Sequence, residues 1–243
     1  MRALSASDIV HLWEVGQPQH PLDRALTLVG AACPELSRQE LVALDVASRD
    51  SLLLRLRERT VGPLLDCYAE CPACRTSLEF QVETERLLAL LNTARSGRVL
   101  EADGVEVRYR LPDSRDLAAV ARCPDAGAAR QLLLRRCVLG ASDSQGAFSA
   151  DALPDGVVTA LCARLEEEAG VADAQVDLRC PSCGHVLEVA IDITEFFWRE
   201  LAVEARRLLR EVHVLARAYC WSEESILAMG PQRRRFYLEL AGE

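Results

Sequence analysis

Two short segments constrain this chain more than any others: Cys71-Pro72-Ala73-Cys74 and Cys180-Pro181-Ser182-Cys183. A Cys-x-x-Cys turn points backbone amides at two sulfurs while both reach one tetrahedral ion at about 2.3 Å. Proline in the second position stiffens such a turn. Gly184 follows the last cysteine and suits the positive φ the turn needs there, whereas Arg75 holds that place in the first knuckle. Together Cys71, Cys74, Cys180 and Cys183 supply four sulfurs, enough to close one structural Zn2+ site with no coordination position left for a substrate.

The surroundings of the knuckles repeat. Aligned from their first cysteines, the two twelve-residue stretches share cysteine, proline, cysteine, leucine and glutamate, and both end in a branched apolar residue, Val82 and Ile191. Each knuckle leads into an alternating, strand-like run, Leu78 to Val82 and Leu187 to Ile191, and then a threonine, Thr84 or Thr194, placed to cap a helix. Upstream, Cys33-Pro34-Glu35 before a helix recurs as Cys123-Pro124-Asp125. This order suggests internal duplication, with convergence on a knuckle consensus as the alternative. Duplication also accounts for the 106 residues that separate Cys74 from Cys180, too many for an ordinary zinc ribbon. Equivalent hairpins facing each other across a pseudo-dyad would share the ion.

Helical patterns fill most of the rest. Residues 5–16 form an apolar stripe with Ser5 or Ser7 as cap, Leu22 to Cys33 a second helix, and Ser37 with Glu40 a capping box for a third. A fourth runs from Ser48 to Thr60, with Leu52, Leu53 and Leu56 on one face and Arg55, Arg57, Glu58 and Arg59 largely on the other. Thr84 opens a helix to about Asn92. Residues 93–104 read as a polar connector and 104–111 as the clearest strand. Helices follow from Ser114, around Gln131 to Leu134, and from Val157 to Ala169 with Gly170 as stop; residues 140–146 read as an exposed loop. Glu195 to Tyr219 forms a helix of about 35 Å, long enough to pack against both halves. Its apolar side carries Phe197, Leu201 and Leu208, and short helices follow it. The expected fold is α+β and mainly α-helical: two similar helical halves (1–96 and 97–194), each with a β-hairpin zinc knuckle, then a long C-terminal helix and a short helical tail (195–243).

Composition excludes several function classes. Acidic residues number 37 against 28 basic ones, all of them arginine, and a net charge of −9 argues against coating a phosphate backbone. No apolar run is long enough to span a membrane, and the polar N-terminus lacks the core of a signal peptide, so a cytoplasmic protein with reduced thiols is expected. No phosphate loop, H-E-x-x-H or G-x-S-x-G motif is present, so neither an active site nor a small-molecule substrate is expected.

Bland readings stand beside the metal. The knuckles could be a redox dithiol, although such enzymes set the reactive cysteine at a helix N-terminus, or a vestigial pair that packs or oxidises. A zinc-ribbon module that binds nucleic acid is a further alternative. Cys67, four residues before Cys71, is a spare ligand, and His185, two residues after Cys183, could replace one but reads better as a surface residue of the hairpin. His11, His20 and His213 read as surface, and Cys33, Cys123, Cys137, Cys162 and Cys220 as small apolar side chains. Arg233-Arg234-Arg235 reads as a grip for an acidic partner or as a solvated helix face.

Three segments carry a family likeness: Ala3-Leu4-Ser5 through Leu12-Trp13-Glu14; Arg49-Asp50 through Arg57-Glu58 to Gly62-Pro63; and Glu211-Val212-His213 with Tyr219, Trp221-Ser222-Glu223 and Ile226-Leu227. They resemble the small T4-like baseplate proteins of contractile phage tails and of phage-tail-like extracellular contractile injection systems. The resemblance implies a non-enzymatic structural or assembly role through contacts with baseplate, hub or spike proteins. The zinc assignment comes from this sequence and not from the family.

Overall fold

The computed structural model describes residues 1–91, 98–144, 146–168 and 174–242. Local side-chain chemistry sets where its helices start. Ser5 opens α1 (Ala6–Gly16) with a capping box, its hydroxyl accepting from the Asp8 amide at 3.1 Å and its own amide donating to Asp8 at 2.8 Å. Pro21 begins α2 (Pro21–Ala32), where a missing N–H costs nothing, and Ser37 with Glu40 boxes α3 (Arg38–Ala43) as the sequence predicts. Asp45 caps α4 (Val46–Thr60), so this helix starts earlier than Ser48. The first knuckle joins β1 (Leu64–Glu70) to β2 (Ser77–Glu83), an antiparallel hairpin that leads into α5 (Thr84–Leu90).

The middle of the chain folds as β3 (Arg98–Ala102), β4 (Val105–Tyr109), α6 (Ser114–Val120), α7 (Ala126–Cys137), β5 (Val138–Ser142), β6 (Ala147–Phe148), a 3-10 turn at Ala150–Ala152 and α8 (Asp155–Glu168). These strands form one antiparallel sheet in the order β3-β4-β5-β6. The second knuckle joins β7 (Ala174–Arg179) to β8 (Val186–Ile191), followed by the 27-residue α9 (Ile193–Tyr219), α10 (Glu223–Leu227) and α11 (Pro231–Ala241).

Several expectations change. The polar connector contains β3, and Gly140 to Ser142 belong to β5 and not to a loop: both segments find partners in β4 that weak local alternation does not announce. Neither Thr84 nor Thr194 caps a helix. Each sits just inside its helix and is buried; the Thr84 hydroxyl donates to the Pro63 carbonyl at 2.9 Å, and Asp192 caps α9 instead. Arg57 and Arg234 are not on solvated faces, at 1 % and 3 % exposed. Asn92, Gln145, Ala169, Gly170 and the 96/97 boundary lie outside the described residues.

The main core joins α1, α2 and α4 to α9, burying Leu28, Leu53, Leu54, Phe197 and Leu208. Its closest approach explains Gly16. A Cβ there would stand 2.4 Å from Cη2 of Trp198, so only glycine admits the indole. The Arg24 guanidinium lies over that ring at 4.6 Å from its centroid and donates to the Gly16 carbonyl at 2.9 Å. Val176 and Ile191, from the second hairpin, belong to this same core. The middle segment has its own, in which Val105, Val107 and Tyr109 of β4 meet Leu134, Val157 and Leu161.

The middle segment meets the first helices where α6 lies on α2 and α3, and within that segment Asp116 ties α6 to Arg110 and to Arg136 of α7. Its carboxylate is wholly buried and accepts from Arg110 at 2.6 and 3.0 Å, from Arg136 at 2.6 Å and from the Asp113 amide at 2.9 Å. Burial alone would raise its pKa, but the Arg110 fork, the Asp113 amide and Arg136 outweigh it and hold the carboxyl at about 2. A pKa depressed on folding contributes stability above the ordinary carboxyl value of 3.8, and that stability is lost as pH falls towards 2. The urea midpoint is therefore expected to fall between pH 4 and 2 more steeply in the parent chain than in Asp116→Asn. Equal slopes would remove Asp116 as the acid-sensitive group.

Candidate metal centre

The two hairpins are joined by the same turn chemistry. In the first knuckle the Cys71 amide donates to the Thr76 carbonyl at 3.0 Å and the Arg75 amide to the Cys71 carbonyl at 2.8 Å. In the second, the Cys180 amide donates to the His185 carbonyl at 2.8 Å and the Gly184 amide to the Cys180 carbonyl at 2.9 Å. Gly184 takes φ +73°, as its position predicts, and Arg75 is forced to φ +58°, a left-handed conformation unusual for a residue with a Cβ. Both turns open into strands, β2 and β8, so neither cysteine pair gains the helix N-terminus that activates a redox thiol.

The hairpin tips converge. Cys71 Sγ lies 3.6 Å from Cys183 Sγ, and Cys74 Sγ lies 3.6 Å from Cys180 Sγ. The first cysteine of each knuckle thus faces the second of the other at equal distance, the relation a local two-fold axis imposes. All four sulfurs lie within 4.8 Å of one another. A tetrahedron with bonds of about 2.3 Å has edges of about 3.8 Å, so this donor set suits one four-coordinate ion. Cys71 and Cys180 are buried beneath the tips with Leu78 and Leu187, while Cys74 and Cys183 face outward.

Electrostatics at the cluster favour a cation. Thr76, through its hydroxyl 3.2 Å from Cys74 Sγ and through its amide, brings the Cys74 thiol down to about 6. At Cys183 the His185 amide favours the thiolate, but the Cys74 sulfur, desolvation and the Cys71 sulfur outweigh it and push the thiol up to about 12. One thiolate therefore opposes ionisation of the next, and a divalent ion among the four removes that opposition. Thr76 escaped the sequence reading because nothing in its spacing distinguishes it from any hairpin residue.

The spare ligands stay out of the cluster. Cys67 is buried in β1 with its thiol directed at the Leu65 carbonyl, and His185 takes part through its backbone. His20 is more than surface: its Nδ1 accepts from the Leu22 amide at 3.3 Å and caps α2. Cys33 and Cys137 are buried as expected, Cys123 and Cys162 are half-buried, and Cys220 is exposed at φ +59°, where it ends α9.

A family model described as T4 bacteriophage base plate protein matches residues 16–198, from the end of α1 through both knuckles into α9. The chain belongs to that family of T4 base plate proteins. Of the three segments that carried the likeness, Arg49 to Pro63 falls inside the match, whereas Ala3 to Glu14 and the tail from Glu211 lie beyond it. Comparison with curated proteins and with solved structures gave no match. Among T4 base plate proteins the expected trade is contact with other baseplate components, and the described residues include no helix long and apolar enough to cross a membrane.

Proposed function

We propose that this chain is a non-enzymatic structural or assembly protein of a phage-tail baseplate or of a contractile injection system, stapled by one structural Zn2+ ion on Cys71, Cys74, Cys180 and Cys183. The family match over residues 16–198 carries the baseplate role. Convergence of four sulfurs supports the ion, and four protein ligands complete its coordination, so the metal holds structure and offers nothing to a substrate. The equal cross-knuckle distances support a duplicated origin, with halves at 1–96 and 97–194 and a C-terminal segment at 195–243. Partners are baseplate, hub or spike proteins of the particle, met in the cytoplasm of the producing cell.

Two measurements test this reading. Affinity purification of the tagged chain from producing cells is expected to bring down baseplate, hub or spike proteins, and their absence from the eluate would end the assembly role. Elemental analysis of the purified chain is expected to give one zinc per chain. Two zincs would mean separate sites that recruit further ligands, and none would sink the metal assignment.

A further inference from the structure

Away from the metal tips, the two hairpins diverge and leave a cleft whose floor is the first half of α9. One wall is Asp66, Cys67 and Tyr68 of β1; the other is Val189, Ala190 and Ile191 of β8. Side chains on a strand alternate between faces, so three consecutive lining residues on each strand fit an edge turned towards the cleft. Those edges lack strand partners: β1 pairs with β2 and β8 with β7, and each hairpin is a sheet of two strands among the described residues. Two rows of backbone donors and acceptors therefore border one opening, the situation that invites strand addition.

The floor and rim specify what would enter. Val203 of α9 is 68 % exposed and Tyr68 is 62 % exposed, and both line the cleft, with Phe196 half-buried beside them. Asp66, Asp192, Glu195, Glu200 and Glu204 line it too, while Arg199 is the one cation among the described lining residues. Arg199 is paired with Glu195, Arg57 with Glu200 and Arg207 with Glu204, so the acidic excess of the rim rests on Asp66 and Asp192.

We propose that this cleft receives an extended segment of a partner protein, which pairs with the free edges of β1 and β8, sets alternate apolar side chains on Val203 and Phe196, and carries arginine or lysine at its ends. Main-chain hydrogen bonds supply affinity in such strand addition, and the alternate side chains and flanking charges supply selection. The metal fixes the hairpin tips and so sets the spacing of the two edges. The proposal rests on the assembly reading in taking a protein segment as the occupant. Peptide binding is read on the isolated chain, so its failure leaves co-purification untouched, and failed co-purification leaves the peptide result standing.

The probe is a capped, fluorescent peptide of alternating valine and threonine flanked by arginine pairs, titrated against the purified full chain by anisotropy. Saturable binding is expected, with a loss of about tenfold or more when alternate amides are N-methylated, when the arginines become glutamates, or when the protein carries Val203→Arg. Because Val203 is exposed, the variant should keep the parent's thermal midpoint, and that is checked first. Absence of binding, or binding indifferent to N-methylation or to Val203→Arg, overturns the proposal. A concentration-dependent dimer of the chain alone, abolished by Val203→Arg, would assign the cleft to a second copy and overturn it as well.

Discussion

Cys180→Ser is expected to lose the metal and the cooperative fold together, and an excess of a strong chelator should do the same to the parent chain. Beneath the knuckle tips the apolar cluster is only Cys71, Leu78, Cys180 and Leu187, so at the tips little besides an ion would hold the two hairpins together, while their far ends pack on the main core through Leu65, Val82, Val176 and Ile191. Metal-binding free energy in structural sites is folding free energy, on the order of 10 kcal/mol or more, comparable to the whole stability of a domain. Ligation of one ion by all four sulfurs would also tie Cys74 to Cys180, 106 residues apart, and closing a loop of that size removes roughly 4–5 kcal/mol of unfolded-chain entropy in the disulfide analogy. Because Cys180 is itself buried, a serine there could harm packing alone. Cys74→Ser separates the two causes: Cys74 is exposed, so a packing effect predicts a metal-loaded, stable variant, and the shared site predicts the same collapse as Cys180→Ser. Zinc content and circular dichroism melts of both variants decide it, and a stable, metal-loaded Cys74→Ser would remove the four-cysteine site.

What could be read from the sequence was whatever local chemistry encodes. The cysteine spacing, the positive φ at Gly184, the boxes at Ser5 and Ser37 and the alternation of β4 each depend on residues within one turn or one strand of each other. Features set by partners far along the chain stayed hidden. Arg98 to Ala102 is a half-exposed edge whose pairing is decided by β4, and its own alternation is too weak to declare it. Placement of the second hairpin on the main core could not be seen either, since Val176 and Ile191 pack there with residues of α1, α2 and α4 far away in the chain. Within the candidate site, the four cysteines that converge were legible and Thr76 was not. The cleft between β1 and β8 lies further still from sequence logic, because it is a gap between elements and belongs to no segment.

Arg57→Ala is expected to destabilise the chain by about 3–5 kcal/mol, read as a drop in the urea midpoint at unchanged zinc content. Arg57 sits in a run, Arg55-Leu56-Arg57-Glu58-Arg59, that looks like a charged outer face, yet α9 covers it completely. Its guanidinium donates to both carboxylate oxygens of Glu200 at 2.9 and 2.6 Å and to the Gly62 carbonyl at 2.6 Å, where α4 turns into β1. One side chain thus holds α9, the end of α4 and the start of the first knuckle hairpin in register. Truncation leaves the Gly62 carbonyl and a three-quarters-buried Glu200 without their partner, and it opens a void under Phe196. The double variant Arg57→Leu with Glu200→Leu is expected to recover part of the loss, because it removes both charges and refills the space. Recovery would show that the cost of Arg57→Ala lies chiefly in stranding a buried carboxylate. If the double variant is no better than Arg57→Ala, the Gly62 contact is the larger share, and Arg57 acts mainly by closing the turn that aims the first pair of cysteines at the second.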